Sequence, residues 1–196
     1  DHVGANLELK KKYNSKIFGF EGDKNRIPGI DFFLKDNQNL SIGSLMFETI
    51  FIPGHTKGHI AFYFKDEKVI FTGDTLFSLG CGRIFEGSHL DMFNSLNKIK
   101  TLPIDTKIYC GHEYTKSNLN FCLKYDTNNP FLKEKLAEIN LKLKSNQPTI
   151  PTTIGEELRT NIFLKCNDSV LKQALNLKDA SDLEVFTKLR DLKDTF

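Results

Sequence analysis

The sequence predicts an α/β domain followed by a helical one, and three observations carry that reading. In the first half, short segments rich in β-branched and aromatic residues stop at Gly or Pro, the mark of strands that end in tight loops. Beyond about Tyr114, apolar residues recur every three or four positions, the helical period. No apolar run approaches the roughly 20 residues of a membrane span.

Taken in order, Lys16–Phe20 reads as a short extended run, and Leu45–Ile52 as a strand stopped by Pro53-Gly54. Ile60–Phe64 and Val69–Phe71 flank the charged turn Lys65-Asp66-Glu67-Lys68 and read as a hairpin. Leu90–Ile99 has helical spacing, and Lys107–Cys110 is a strand ending at Gly111. Leu119, Cys122 and Leu123 share one helical face, as do Leu132, Leu136, Ile139 and Leu143. After Pro148 and Pro151, Thr152 or Thr153 caps a helix with Glu156 and Glu157 in its first turn. A last helix starts at Ser181, acidic at its beginning and basic, through Arg190 and Lys193, toward its end. The expected division is 1–113 and 114–196.

The 196 residues hold 27 Lys plus Arg against 25 Asp plus Glu, a net charge of +2 that gives no broad field for a polyanion. The lysines are scattered and balanced by acids, which argues against a Lys-rich nucleic-acid or acidic-partner module. Cys81, Cys110, Cys122 and Cys166 form no C-x-x-C pair, so they read as buried free thiols of a reducing, cytoplasmic setting. The chain opens at Asp1-His2 without an initiator Met or a signal pattern, so targeting is not legible.

The chemistry concentrates where strands end. His2 follows Asp1, His55 lies in Pro53-Gly54-His55-Thr56, Asp74 in Thr72-Gly73-Asp74-Thr75, and His112 in Gly111-His112-Glu113. Loops at strand ends converge ligands from several rigid elements on one point, and imidazole with carboxylate suits zinc, iron or manganese. Taken one at a time, each residue is equally a turn or cap residue.

These motifs, with Gly80-Cys81-Gly82-Arg83-Ile84-Phe85-Glu86-Gly87 and Gly111-His112-Glu113-Tyr114-Thr115, resemble glyoxalase II (hydroxyacylglutathione hydrolase) of the metallo-β-lactamase superfamily. The likeness spans the whole chain, including the ending Val185–Phe196. It implies an αββα sandwich lacking its front part, then a helical glutathione-binding domain. It also implies that the chain begins inside the T-H-x-H-x-D-H motif, after two histidines of the first metal. The activity implied is hydrolysis of S-D-lactoylglutathione to D-lactate and glutathione by a hydroxide bridging two divalent ions, zinc before iron or manganese. By resemblance Asp1, His2 and His112 hold the second metal, His55 the first, and Asp74 bridges both. Arg83, Phe85 and Tyr114 line the substrate site, and Arg190 and Lys193 bind its glycine carboxylate. Some relatives carry Tyr where Phe85 stands, so one hydroxyl contact is missing here. His59 is expected to orient a ligand and His89 to start a helix at the surface. The partner expected is the small glutathione thioester, with no nucleic acid or membrane, on a monomer or weak homo-oligomer. The alternative within the superfamily is an iron-dependent glutathione persulfide dioxygenase.

Overall fold

The computed structural model describes residues 2–196, so the expectations placed on Asp1 lie outside the described residues. Helix α1 (Asn6–Tyr13) comes first, then strand β1 (Phe18–Phe20), a 3-10 turn (Glu21–Asp23) and β2 (Phe32–Leu34), which pairs parallel with β1. Strands β3 (Asn39–Ile42), β4 (Leu45–Phe51), β5 (Ile60–Phe64) and β6 (Val69–Gly73) follow as an antiparallel meander. A small hairpin, β7 (Leu76–Phe77) and β8 (Gly80–Cys81), and helix α2 (His89–Ile99) make the crossover to β9 (Lys107–Cys110), parallel to β6. Helices α3 (Thr115–Tyr125) and α4 (Pro130–Lys144) lead to β10 (Thr152–Thr153), which pairs with β9. Then come α5 (Ile154–Thr160), a 3-10 turn (Ile162–Leu164), α6 (Ser169–Ala174) and α7 (Asp182–Asp194). The six-stranded sheet therefore runs β10-β9-β6-β5-β4-β3 and takes its edge strand from the helical half.

Sheet alternation sorts the side chains. Ala61, Tyr63, Ile70 and Ile108 join Met92, Leu96 and Ile99 of α2 and the buried residues of the C-terminal helices in one core. On the opposite face Phe47, Phe62, Phe64 and Phe71 line a 240 Å³ apolar hollow together with Ile42 and Phe18 of β1. Phe20 of β1 also stacks on Phe51 at 4.5 Å. Helix α1 is tied to the β1–β2 layer, since Lys10 Nζ donates to Gly29 O and to Asp31 Oδ1, both at 2.7 Å. The layers thus run helix, sheet, sheet, helix.

The helix starts match the sequence. Ser88, Thr153 and Ser181 each close a capping box, with Asp91, Glu156 and Glu184 respectively. The expected strands and hairpin form, and α1, β2, β3, β7, β8, β10 and α6 are additions. All four cysteines are free.

Candidate metal centre and its surroundings

Strand direction assembles the site. β4 and β6 both run antiparallel to β5, and β9 runs parallel to β6, so the C-terminal ends of β4, β6 and β9 share one end of the sheet. His55 follows β4, Asp74 follows β6 and His112 follows β9. A register shift between Phe71 and Gly73 bends the end of β6, and Asp74 is delivered just beyond it. Thr75 Oγ1 donates to Ile52 O and Thr72 Oγ1 to Leu76 O, which fix that turn.

Three imidazoles converge on one carboxylate oxygen. Nε2 of His2, His55 and His112 lies 3.1, 3.3 and 3.3 Å from Asp74 Oδ2. Ligand atoms of His2, Asp74 and His112 fall within 4.8 Å of one another. Asp74 is 3% exposed, and its Oδ1 has no hydrogen-bond partner among the described residues. A buried carboxylate oxygen left so costs free energy unless an ion meets it. The donor set, imidazole nitrogen with carboxylate oxygen, is the one that zinc, iron and manganese accept. The residues present therefore fit a metal site.

The neighbours aim these ligands. His55 Nδ1 donates to Arg83 O at 2.8 Å, leaving Nε2 to face Asp74. His59 does not join the cluster: its Nε2 accepts from the Asp74 N–H at 2.8 Å and so holds the turn. Burial, reinforced by His55 nearby, pushes His59 down to about 4, so it is neutral in this role. Two glycines allow the close packing. A Cβ on Gly111 would strike Asp74 Oδ1, and one on Gly82 would strike the Asp74 carbonyl.

Three exposed side chains ring the cluster. Phe85 meets the His55 ring edge-on at 5.0 Å, and Tyr114 stacks on His112 at 5.1 Å. The Arg83 guanidinium lies 5.6 Å over Phe85, with Nε 3.9 Å from Asp194 of α7. A 650 Å³ cavity opens beside the cluster, lined by His2, His55, His59, Asp74, Phe85 and Arg26 among others.

The two basic residues of α7 are placed differently from each other. Arg190 is 4% exposed, and its Nη1 donates to Cys81 O at 2.8 Å and Gly82 O at 3.4 Å while Nη2 pairs with Asp194 at 3.0 Å. Lys193 is half-buried, donating to Ser117 Oγ at 3.2 Å over the Phe121 and Phe196 rings. Burial first, then Arg190, lowers its pKa. His89 starts α2, as expected, and sits 3.1 Å from Asp191.

Sequence reasoning missed a second group of side chains, Asn118, Glu157 and Asn161, all buried beside the β7–β8 turn. Glu157 had passed for a helix-dipole acid. The available signal was that a capping box needs only Glu156, which leaves the adjoining acid without a task.

Comparison with known proteins fits this geometry. The family described as "Metallo-beta-lactamase superfamily" matches residues 1–112, and "Hydroxyacylglutathione hydrolase C-terminus" matches residues 113–196. The chain is 53% identical over 196 residues to a hydroxyacylglutathione hydrolase of Pelagibacter ubique, covering 100% of this chain and 76% of that protein. It is 47% identical to one of Chelativorans sp., again over 100% of this chain and 77% of the relative. Among solved structures, ETHE1 from Myxococcus xanthus superposes with a TM-score of 0.64 at 22% identity, covering 98% of this chain and 64% of that one. The BLEG-1 B3 metallo-beta-lactamase superposes at 0.60 and 24% identity, covering 84% and 72%. At such identities these two superpositions speak for the fold alone.

Proposed function

The chain belongs to the hydroxyacylglutathione hydrolase family of the metallo-β-lactamase superfamily, and on that premise we propose that it hydrolyses S-D-lactoylglutathione at the His2–His55–Asp74–His112 cluster. The reaction class is hydrolysis of a glutathione thioester, giving a hydroxy acid and glutathione. The observation that carries the placement is the convergence of three Nε2 atoms on one Asp74 oxygen whose partner oxygen is buried and unmet among the described residues.

We assign His2 and His112, with Asp1 by family resemblance, to one ion, His55 to another, and Asp74 to both. Zinc suits the donor set best, with iron or manganese as alternatives. When bound, such ions acidify water and draw charge from a carbonyl oxygen. The residues around them bind and orient. Arg83 O holds the His55 tautomer, and the Asp74 N–H is held by neutral His59. Phe85 and Tyr114 present ring faces on two sides of the cluster, shielding it from bulk water.

The substrate tail is anionic, and the exposed Arg83 guanidinium, seated over Phe85 beside His55, offers it a cation. Its partner Asp194 exchanges for a substrate carboxylate on binding. Lys193 adds a second cation from α7. Arg190 serves by position: bonded to Cys81 O and Gly82 O, it sets the segment that carries Arg83. In this division residues 1–113 hold the ions and contribute Arg83 and Phe85 to the substrate site, and 114–196 complete it with Tyr114, Arg190 and Lys193.

The test combines metal content with thioester hydrolysis on the purified protein. Wild type is expected to bind two ions and hydrolyse S-D-lactoylglutathione, and Asp74→Asn to lose both. A fully metallated protein without thioesterase activity would overturn the assignment.

A further inference from the structure

The turn joining β7 to β8 is held from outside. Leu79, fully buried, adopts φ +62°, a left-handed conformation that a branched side chain disfavours. Five successive residues are each bonded to a side chain from the helical half. Asn118 Nδ2 donates to Ser78 O at 3.0 Å, and the Leu79 N–H donates to Glu157 Oε2 at 2.7 Å. The Cys122 thiol donates to Leu79 O at 3.2 Å, and Asn161 Nδ2 to Gly80 O at 3.1 Å. Arg190 completes the row at Cys81 and Gly82.

Glu157 is central to this row. It is completely buried on α5 and accepts from Leu79 N–H, from Thr152 Oγ1 at 2.8 Å and from Asn161 Nδ2 at 2.9 Å. It therefore fixes Leu79 directly and Gly80 through Asn161. Three residues further along, the same segment reaches the metal cluster. The Gly82 N–H donates to Thr75 O at 3.2 Å, Gly82 packs on the Asp74 carbonyl, and Arg83 O takes the His55 Nδ1 proton bond. A carboxylate is a costly choice for a buried helix position, where an apolar side chain of like volume packs without a desolvation penalty. Two of its three bonds place the Leu79 backbone and Asn161, and the third, from Thr152, holds the carboxylate itself in line.

We propose that Glu157 is a positioning residue for the active site, fixing the 78–82 segment through Leu79 and Asn161 and thereby the aim of Arg83 and the orientation of His55. The claim on Arg83 rests on the proposed function; the claim on the segment does not.

The test compares Glu157→Leu and Glu157→Gln with wild type, each first shown folded by circular dichroism. Hydrogen exchange of the peptides spanning residues 76–86 and 53–59 is read beside KM and kcat for S-D-lactoylglutathione. Glu157→Leu is expected to speed exchange in those two peptides while leaving α2 unchanged. It should raise KM about tenfold, the worth of one buried hydrogen bond left unmade, and lower kcat by less. Glu157→Gln restores both, because its amide oxygen still accepts from Leu79 and Asn161 while the Thr152 hydroxyl reverses to accept from its NH₂. If Glu157→Leu does not fold, Glu157→Asp, one methylene short, is held to the same expectations. Uniform exchange changes with KM untouched, or failure of the Gln variant to restore, would overturn the proposal. A wild type without thioesterase activity whose peptides still respond as expected would instead count against the proposed function.

Discussion

Replacement of Arg190 by Met keeps most of the side-chain stem and removes the guanidinium. Two carbonyls, Cys81 O and Gly82 O, then lose their donor in the interior, which costs about 1–3 kcal/mol for a buried acceptor left unmet. The cation seated 5.3 Å over the Phe163 ring adds about 0.5–1 kcal/mol. The pair with Asp194, whose side chain is 30% exposed, adds no more than about 0.5 kcal/mol. Against these stands Nε, buried and without a partner among the described residues, whose removal relieves about 1 kcal/mol. The net loss is about 0.5–3.5 kcal/mol, centred near 2, and that centre corresponds to a fall in Tm of about 4–8 °C for a chain of this size. Urea unfolding followed by far-UV circular dichroism measures it directly. An arginine that only gripped substrate from the surface would change stability by less than about 0.5 kcal/mol and act on KM alone. That result would refute the reading of Arg190 as a residue that shapes the 81–83 segment.

Four further outcomes follow from the same geometry. Phe85→Tyr, at an exposed ring beside His55, is expected to lower KM by about 2–10-fold through one added hydrogen bond, read from initial rates. Gly82→Ala drives a methyl into the Asp74 carbonyl, so metal binding by calorimetry should weaken about 10–100-fold, as when a ligand's support is lost. Glu157 titrates at 4.5 unfolded and is pushed up to about 7 in the fold, chiefly by burial. The stability it contributes is full below pH 4.5 and is lost as pH rises through 7, so Glu157→Gln should gain on wild type by up to about 3 kcal/mol between pH 4.5 and 8. Urea unfolding at both ends of that range checks it, and a pH-independent difference would contradict it. Chelation should lower the Tm of the metallated protein, since ions bound only to the fold stabilise it by mass action, about 2.7 kcal/mol at a hundredfold excess over Kd.

What the sequence made legible was whatever had periodicity or a local partner. The hairpin of β5 and β6, the capped starts of α5 and α7, and the Gly-flanked His55, Asp74 and His112 at three strand ends all rest on neighbours a few residues away. Helix α1 left no trace because it buries no residue, so no face marks it. Strand β10 is two residues long and exists by pairing with β9 across more than 40 residues of sequence. Arg190 and Glu157 make bonds that no local pattern foretells, to residues 109 and 78 positions away. The family likeness supplied the ligand set that spacing alone left open among turn, cap and metal roles.

The row of bonds along residues 78–82 also bears on synthesis. The segment leaves the ribosome well before its partners at 118, 122, 157, 161 and 190, and chains emerge at only about 5–20 residues per second. Until α7 is released, Cys81 O and Gly82 O lack the Arg190 bonds that hold the segment beside His55. A nascent chain therefore carries that segment on its local bonds alone, and removal of α7 from the finished protein should loosen it again.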